Sequence, residues 1–262
     1  MSGHALQPSQ DKRKACFYLM KPIIVIPSRL ASTRLPNKPL AEIDGIPMIL
    51  HVALRAREAR LGPVLVASGD ATILDVLAGH DIEGVLTDPA LPSGSDRVYA
   101  ALQEYDPDGD HDVVINLQGD LPLIAPSSLA SALRPVREER YDIGTLVAPV
   151  ETQEEATRES VVKAACAFGA KQSIARALYF SRQTIPWGSG PLWHHVGVYA
   201  WRREALARFV SLPPSGLEKR ESLEQLRALE AGMTIGCVAI DEAPLGVDTP
   251  ADLIRVRQTF TS

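Results

Sequence analysis

Cysteine is scarce in this 262-residue chain, which has only Cys16, Cys166 and Cys237. Three scattered cysteines are too few for a disulfide framework or a zinc cluster, so reduced structural thiols are expected. Long apolar runs are missing as well. No stretch approaches the roughly 18 uninterrupted apolar residues of a membrane helix. The N-terminus lacks a signal peptide's apolar region and small-residue cleavage site. The expectation is a soluble cytoplasmic protein with no membrane partner. Positive charge is in deficit, with 27 Lys and Arg against 32 Asp and Glu for a net charge of −5. That balance argues against bulk binding to a nucleic-acid backbone or an anionic membrane, although it permits a local basic site. Two glycine fingerprints are absent: neither G-x-x-x-x-G-K-[ST] nor G-x-G-x-x-G follows the first apolar run. P-loop hydrolases and dinucleotide dehydrogenases are therefore disfavoured.

What is present is an ordinary globular balance, 45% hydrophobic and 23% charged residues, enough for a full core. The first residues are polar, so residues 1–20 are expected to form a flexible N-terminal extension and residues 21–262 a single domain. The β-branched run from Pro22 to Ile26 suits a central strand covered on both faces. A helix is expected from Pro47, with Met48, Ile49, Val52, Ala53 and Ala56 along one side. Strand patterns follow at 64–67, 84–86 and 112–117, alternating with helical patterns at 72–79 and 95–104. That alternation predicts βαβ units and an α/β fold with a mainly parallel central sheet flanked by helices. Past Tyr141 the strand patterns at 143–150, 161–168 and 195–201 are less regular, which predicts a smaller antiparallel extension. Helices are expected at 217–231 and 251–260.

Ligands in such sheets sit at the carboxyl ends of the strands, and three segments there carry usable chemistry. The loop SRLASTRLPNKP after the first strand offers Arg29, Arg34 and Lys38 as cations and Ser32 and Thr33 as hydroxyl donors, a set suited to a polyphosphate. A solvated basic loop is the plain alternative. In NLQGD, Gly119 permits a tight backbone approach and Asp120 is a magnesium candidate, or else an ordinary turn aspartate. In GVDTPAD, Asp248 or Thr249 reads as a helix cap. Asp248 would also complete a metal site with Asp120 if folding brings the two together. SGSDR reads first as a turn and helix cap and second as a base and ribose contact. Arg182 and the histidines at 194 and 195 each have a plain structural reading beside a ligand-binding one.

Taken together, IPSRLASTRLPNKPL, SGSDR, NLQGD, LYFSRQTIPW, HVGVYAW, LEKRESLEQLR and GVDTPADL resemble, in order, the 3-deoxy-manno-octulosonate cytidylyltransferase family. The resemblance runs from about Pro22 to Arg257. It implies a Rossmann-like nucleotide-diphospho-sugar transferase fold. The implied activity is transfer of CMP from CTP to the anomeric hydroxyl of 3-deoxy-manno-octulosonate (Kdo), with magnesium, for lipopolysaccharide biosynthesis. Another acidic sugar, such as an 8-amino Kdo analogue or a nonulosonic acid, is the nearest alternative, and a catalytically silent nucleotide-binding protein is a more distant one.

By that resemblance Arg29, Lys38, Asp120 and Asp248 are catalytic, and Asp120 and Asp248 bind the metal. CTP falls to Arg29, Ser32, Thr33, Arg34 and Lys38, with Ser93, Gly94, Ser95 and Arg97 near cytidine. The sugar falls to Gln118, Arg182, His195, Tyr199, Glu224 and Gln225, with Arg182 facing its carboxylate. The family is typically homodimeric. Two departures stand out: Leu121 where an acid is usual after QGD, and Ser68-Gly69 where the family often has Thr-Asp, which leaves the role of Asp70 open.

Overall fold

The structure, a computed structural model, describes residues 20–260. The expected extension, apart from its last residue, and Cys16 lie outside the described residues. In chain order the elements are β1 (Pro22–Ser28), a 3-10 turn (Lys38–Leu40), β2 (Glu42–Ile43), β3 (Ile46–Pro47) and α1 (Met48–Glu58). Next come β4 (Val64–Ser68), α2 (Ala71–Asp75), β5 (Glu83–Leu86), α3 (Gly94–Tyr105), β6 (Val113–Asn116), α4 (Pro126–Glu138) and β7 (Ile143–Pro149). The second half adds α5 (Gln153–Thr157), β8 (Lys163–Ala165), β9 (Ile174–Arg176), β10 (Tyr179–Ser181) and β11 (Trp193–Arg202). The chain closes with α6 (Arg203–Ser211), α7 (Gly216–Glu221), α8 (Gln225–Glu230), β12 (Ile235–Ala239) and α9 (Pro250–Phe260).

The main sheet runs β5-β4-β1-β6-β11-β7-β12-β9, with β8 and β10 attached to the side of β11. β1 is parallel to β4 and to β6, as its sequence requires: a strand buried on both faces needs apolar residues at every position. Ile23 and Val25 face one apolar cluster with Trp201 and Phe209, while Ile24 and Ile26 face another with Ile49 and Val52. Each fully buried isoleucine contributes about 2 kcal/mol by removal from water. β11 runs against both of its neighbours, β6 and β7, and β12 then pairs in parallel with β7. The antiparallel portion is β11 itself, the β8–β10 pair at its side and β9 on the edge of β12.

α4 lies unusually close to the sheet. Gly144 on β7 and Gly236 on β12 are paired in register. A Cβ on Gly144 would come within 2.0 Å of the Ala132 carbonyl oxygen, and one on Gly236 within 2.6 Å of Pro135 Cβ. The glycine pair is therefore a bare patch on which Pro135, inside α4, rests.

Several expectations need correction. The helix expected at 72–79 ends as α-helix at Asp75, and the strand expected at 161–168 is confined to Lys163–Ala165. The helix expected at 217–231 is two helices, because Ser222 adopts a left-handed φ of 54° and breaks it. Glu221 and Gln225, four residues apart, therefore lie on separate helices. α4, α6, β9, β10 and β12 were not expected at all. Cys166 and Cys237 are buried free thiols. They lie side by side, each thiol within hydrogen-bonding reach of the other. Among the described residues, no helix is long and apolar enough to cross a membrane.

Candidate active site

The loop after β1 reaches Lys38 through a local device. Asn37 takes a left-handed φ of 54°, a conformation asparagine tolerates. The 3-10 turn that follows buries Pro39 and closes with Leu40 N–H donating to the Asn37 carbonyl at 2.9 Å. Pro39 fixes the backbone beside Lys38, so less freedom is lost in holding that side chain.

Lys38 Nζ donates to Asp120 Oδ2 at 2.8 Å and to Asp248 Oδ1 at 3.1 Å. The two aspartates come from sequence positions 128 residues apart, and backbone pairing explains the meeting: Val247 N–H donates to the Asp120 carbonyl at 2.9 Å. Asp248 is free for Lys38 because Thr249 takes the capping role. Thr249 Oγ1 accepts from Asp252 N–H at 3.3 Å, and Asp252 Oδ2 accepts from Thr249 N–H at 2.9 Å. The turn reading of Asp120 gives way for the same reason, since its carboxylate faces the lysine. Arg34 adds a second cation to Asp248 at 3.1 Å. Burial alone would lower the Lys38 pKa, but charge and hydrogen bonds from Asp120 and then Asp248 outweigh it and hold the ammonium above its ordinary value.

These groups line an open cleft of about 370 Å³, within the range that takes a nucleotide-sized ligand. Arg29, Ser32, Thr33, Arg34 and Lys38 line it as the cationic and hydroxyl donors, with Asp120 and Asp248 paired against Lys38 and Arg34. Ser93, Gly94 and Arg97 also line it, together with Leu91 and Pro27. Ser93 is also the α3 cap, accepting from Asp96 N–H at 3.2 Å, so the cap reading of SGSDR holds while Ser93 still lines the cleft. Gly119 lies under the cleft with its α-carbon close to β1: a Cβ there would sit 3.2 Å from the Pro27 carbonyl oxygen. Leu121 is buried in the apolar cluster behind, so the family's usual acid is replaced by a core side chain.

Of the residues expected for the sugar, Gln118 alone lines this cleft. Its Nε2 donates to Asn116 Oδ1 at 3.0 Å. Asn116 is in register with Tyr199, whose ring lies 5.5 Å from that of His195. His195 Nε2 meets Thr145 Oγ1 at 3.0 Å, and its pKa is lowered to about 3 by burial and then by His194. Burial pushes the Tyr199 phenol well up. Glu224 accepts from Ser95 Oγ at 2.6 Å, and desolvation raises its pKa despite that bond. Ser95 and Glu224 thus join α3 to the start of α8, where Gln225 is buried.

Arg182 stands apart. Its guanidinium donates to the backbone carbonyls of Glu221 at 2.9 Å, Glu159 at 3.1 Å and Ser222 at 3.2 Å. Glu221 in turn accepts from Ser181 Oγ at 2.9 Å and Arg182 N–H at 3.1 Å. Lys163, fully buried, donates to the Arg158, Val161 and Arg182 carbonyls. Sequence reasoning missed this lysine, whose only signal was one cation in an otherwise apolar run. It also missed Thr145, which carries no motif.

No group of three or more His, Cys, Asp or Glu gathers for a metal among the described residues. Two carboxylates already sharing one ammonium are nonetheless a fitting set for magnesium, which takes one or two carboxylates and completes its shell with phosphate oxygens and water.

Comparison with known proteins gives concordant results. Residues 23–235 match the family model described as Cytidylyltransferase. The chain is 58% identical over 236 residues to the 3-deoxy-manno-octulosonate cytidylyltransferase of Rhodospirillum centenum, covering 90% of this chain and 92% of that one. It is 56% identical over 236 residues to the protein of the same name from Parvibaculum lavamentivorans, covering 90% and 91%. Among solved structures, a CMP:2-keto-3-deoxy-manno-octonic acid synthetase complexed with CTP superposes with a TM-score of 0.83 at 36% identity, covering 92% of this chain and 98% of the other.

Proposed function

This chain belongs to the 3-deoxy-manno-octulosonate cytidylyltransferase family, and from that premise we propose that the cleft performs the family's reaction. The enzyme transfers CMP from CTP to the anomeric hydroxyl of Kdo and releases pyrophosphate. The observation that carries this reading is the meeting of Asp120 and Asp248 on Lys38, in a cleft that Arg29 and Arg34 also line.

The chemistry is an in-line displacement at the α-phosphorus, which needs alignment and charge neutralisation more than covalent participation by the protein. Arg29 and Arg34 can each offer two parallel donors to phosphate oxygens, and Ser32 and Thr33 add hydroxyl donors. Lys38 is a point charge that offsets the negative charge growing on the leaving pyrophosphate. Asp120 and Asp248 would hold magnesium, which when bound polarises the α-phosphate and draws the sugar hydroxyl toward deprotonation. Ser93, Gly94 and Arg97 serve the nucleoside, and Ser95, fully buried and bonded to Glu224, would act only through its neighbours. Gln118, which lines the cleft, serves the sugar. Buried His195, Tyr199 and Gln225, with Glu224, would support its pocket. Arg182 would hold its carboxylate by exchanging the backbone carbonyls that its guanidinium now bonds. We assign the reaction to the cytoplasm and to a homodimer, where it supplies activated Kdo for lipopolysaccharide assembly.

The test is pyrophosphate release from CTP with Kdo, an 8-amino Kdo analogue and a nonulosonic acid, each with and without EDTA. Preferred turnover of Kdo, abolished by EDTA, is expected. Preferred turnover of another acidic sugar would move the substrate assignment, and no release with any of them would end the reading.

A further inference from the structure

We propose that Asp70 is a positioning residue for the nucleotide, fastening the phosphate-binding loop to Arg97, which lines the same cleft. The inference rests on the reading of this cleft as the CTP site. Leu30 N–H donates to Asp70 Oδ2 at 2.8 Å across 40 residues of sequence. Leu30 follows Arg29 directly and precedes Ser32 and Thr33, so this bond fixes where the loop's donors begin. At its other end the loop is held by the Arg34–Asp248 ion pair at 3.1 Å.

Asp70 is itself firmly held. Ser68 Oγ accepts from Asp70 N–H at 3.0 Å and donates to the Asp70 carbonyl at 2.9 Å, closing the turn at the carboxyl end of β4. The Ser68 carbonyl accepts from Thr87 N–H at 2.7 Å and from Thr87 Oγ1 at 3.0 Å. The same Thr87 oxygen accepts from Arg97 Nη1. A continuous hydrogen-bonded path therefore runs from the loop amide through Asp70, Ser68 and Thr87 to Arg97.

Gly69 makes that path possible. A Cβ there would lie 2.7 Å from Arg97 Nη1 and 3.0 Å from Pro89 Cα, so a side chain at this position would displace the guanidinium. Electrostatics agrees with the geometry. Burial and the nearby Arg29 charge disfavour the charged form of Arg97, and Asp70 and Asp88 oppose them. One aspartate thus offsets the repulsion between two arginines that both line the cleft, and it orders their loop before the triphosphate arrives. Preorganisation of this kind strengthens nucleotide binding by lowering its ordering cost.

The experiment measures steady-state constants for wild type, Asp70→Ala and Asp70→Asn, together with amide exchange of the free wild-type enzyme. Asp70→Ala is expected to raise the KM for CTP by about tenfold, the size of a lost charge-assisted hydrogen bond, and to leave the KM for Kdo within about twofold. Asp70→Asn keeps an oxygen that can accept from Leu30 N–H but not the charge, and is expected to recover part of the loss. In the wild-type enzyme the Leu30 amide should exchange far more slowly than an unstructured loop. An unchanged KM for CTP in Asp70→Ala, an equal rise for both substrates, or unprotected Leu30 exchange would each overturn the inference. Exchange is read on the wild-type chain, so the test stands even if the alanine variant does not fold. A wild-type enzyme that fails to turn over CTP would instead refute the nucleotide assignment.

Discussion

At Lys38 two carboxylates are gathered at the cost of desolvating an ammonium, and the aspartates that repay that cost are themselves partly open to water. Such clusters add little net stability, because desolvation and attraction nearly cancel. Asp248→Ala is therefore expected to leave Tm within a few degrees of wild type, as read by thermal melting, while removing a group from the reaction centre. His195 behaves differently. Its folded pKa is depressed to about 3 from an ordinary 6.5, by burial first and His194 second. As pH falls, the unfolded chain binds the extra proton first. The stability contributed by the neutral ring is thus complete above pH 6.5 and is lost as pH falls toward 3, on the order of 1 kcal/mol per pH unit. Urea midpoints measured from pH 7 to pH 4 should fall less steeply in His195→Gln than in wild type. Parallel slopes would show that this ring is not the source.

Between elements, one sharp constraint is α4 on the glycine pair of β7 and β12. Gly144→Ala places a methyl carbon where the Ala132 carbonyl oxygen sits 2.0 Å away, so the helix must lift. A loss of about 3 kcal/mol in denaturant unfolding is expected, at the upper end of overpacking costs. Arg182 makes the corresponding prediction for the antiparallel side. Arg182→Ala should raise the KM for Kdo severalfold with the KM for CTP little changed, and an unchanged sugar KM would count against its role.

The elements that sequence patterns exposed are those with a strong period or a dense apolar run. β1 announced itself through four consecutive buried β-branched residues, and α1 through its one-sided spacing. α4 was obscured because Pro135 sits inside it and reads as a breaker, while in the fold that ring rests on Gly144 and Gly236. The 217–231 pattern looked continuous because nothing in Ser222 itself signals a left-handed turn. The cation loop, Asp120 and Asp248 were legible as chemistry, and their meeting as what the resemblance implies, but the way it is made was not. It depends on the Val247–Asp120 backbone bond, and no local pattern encodes that bond.

For the molecule as a whole, the account is that a cation-rich loop from the N-terminal half and an aspartate from the far C-terminal end close one cleft across a mainly parallel sheet. Sedimentation equilibrium should give twice the chain mass of 28.4 kDa, and a monomer would remove the proposed homodimer without touching the chemistry. The cleft itself is tested most directly by pyrophosphate release from CTP and Kdo, titrated with magnesium, in wild type, Asp120→Asn and Asp248→Asn. The account predicts saturable, EDTA-sensitive turnover in the wild type and a loss of about a thousandfold in each folded variant. Near-wild-type rates in either variant at saturating magnesium would contradict it.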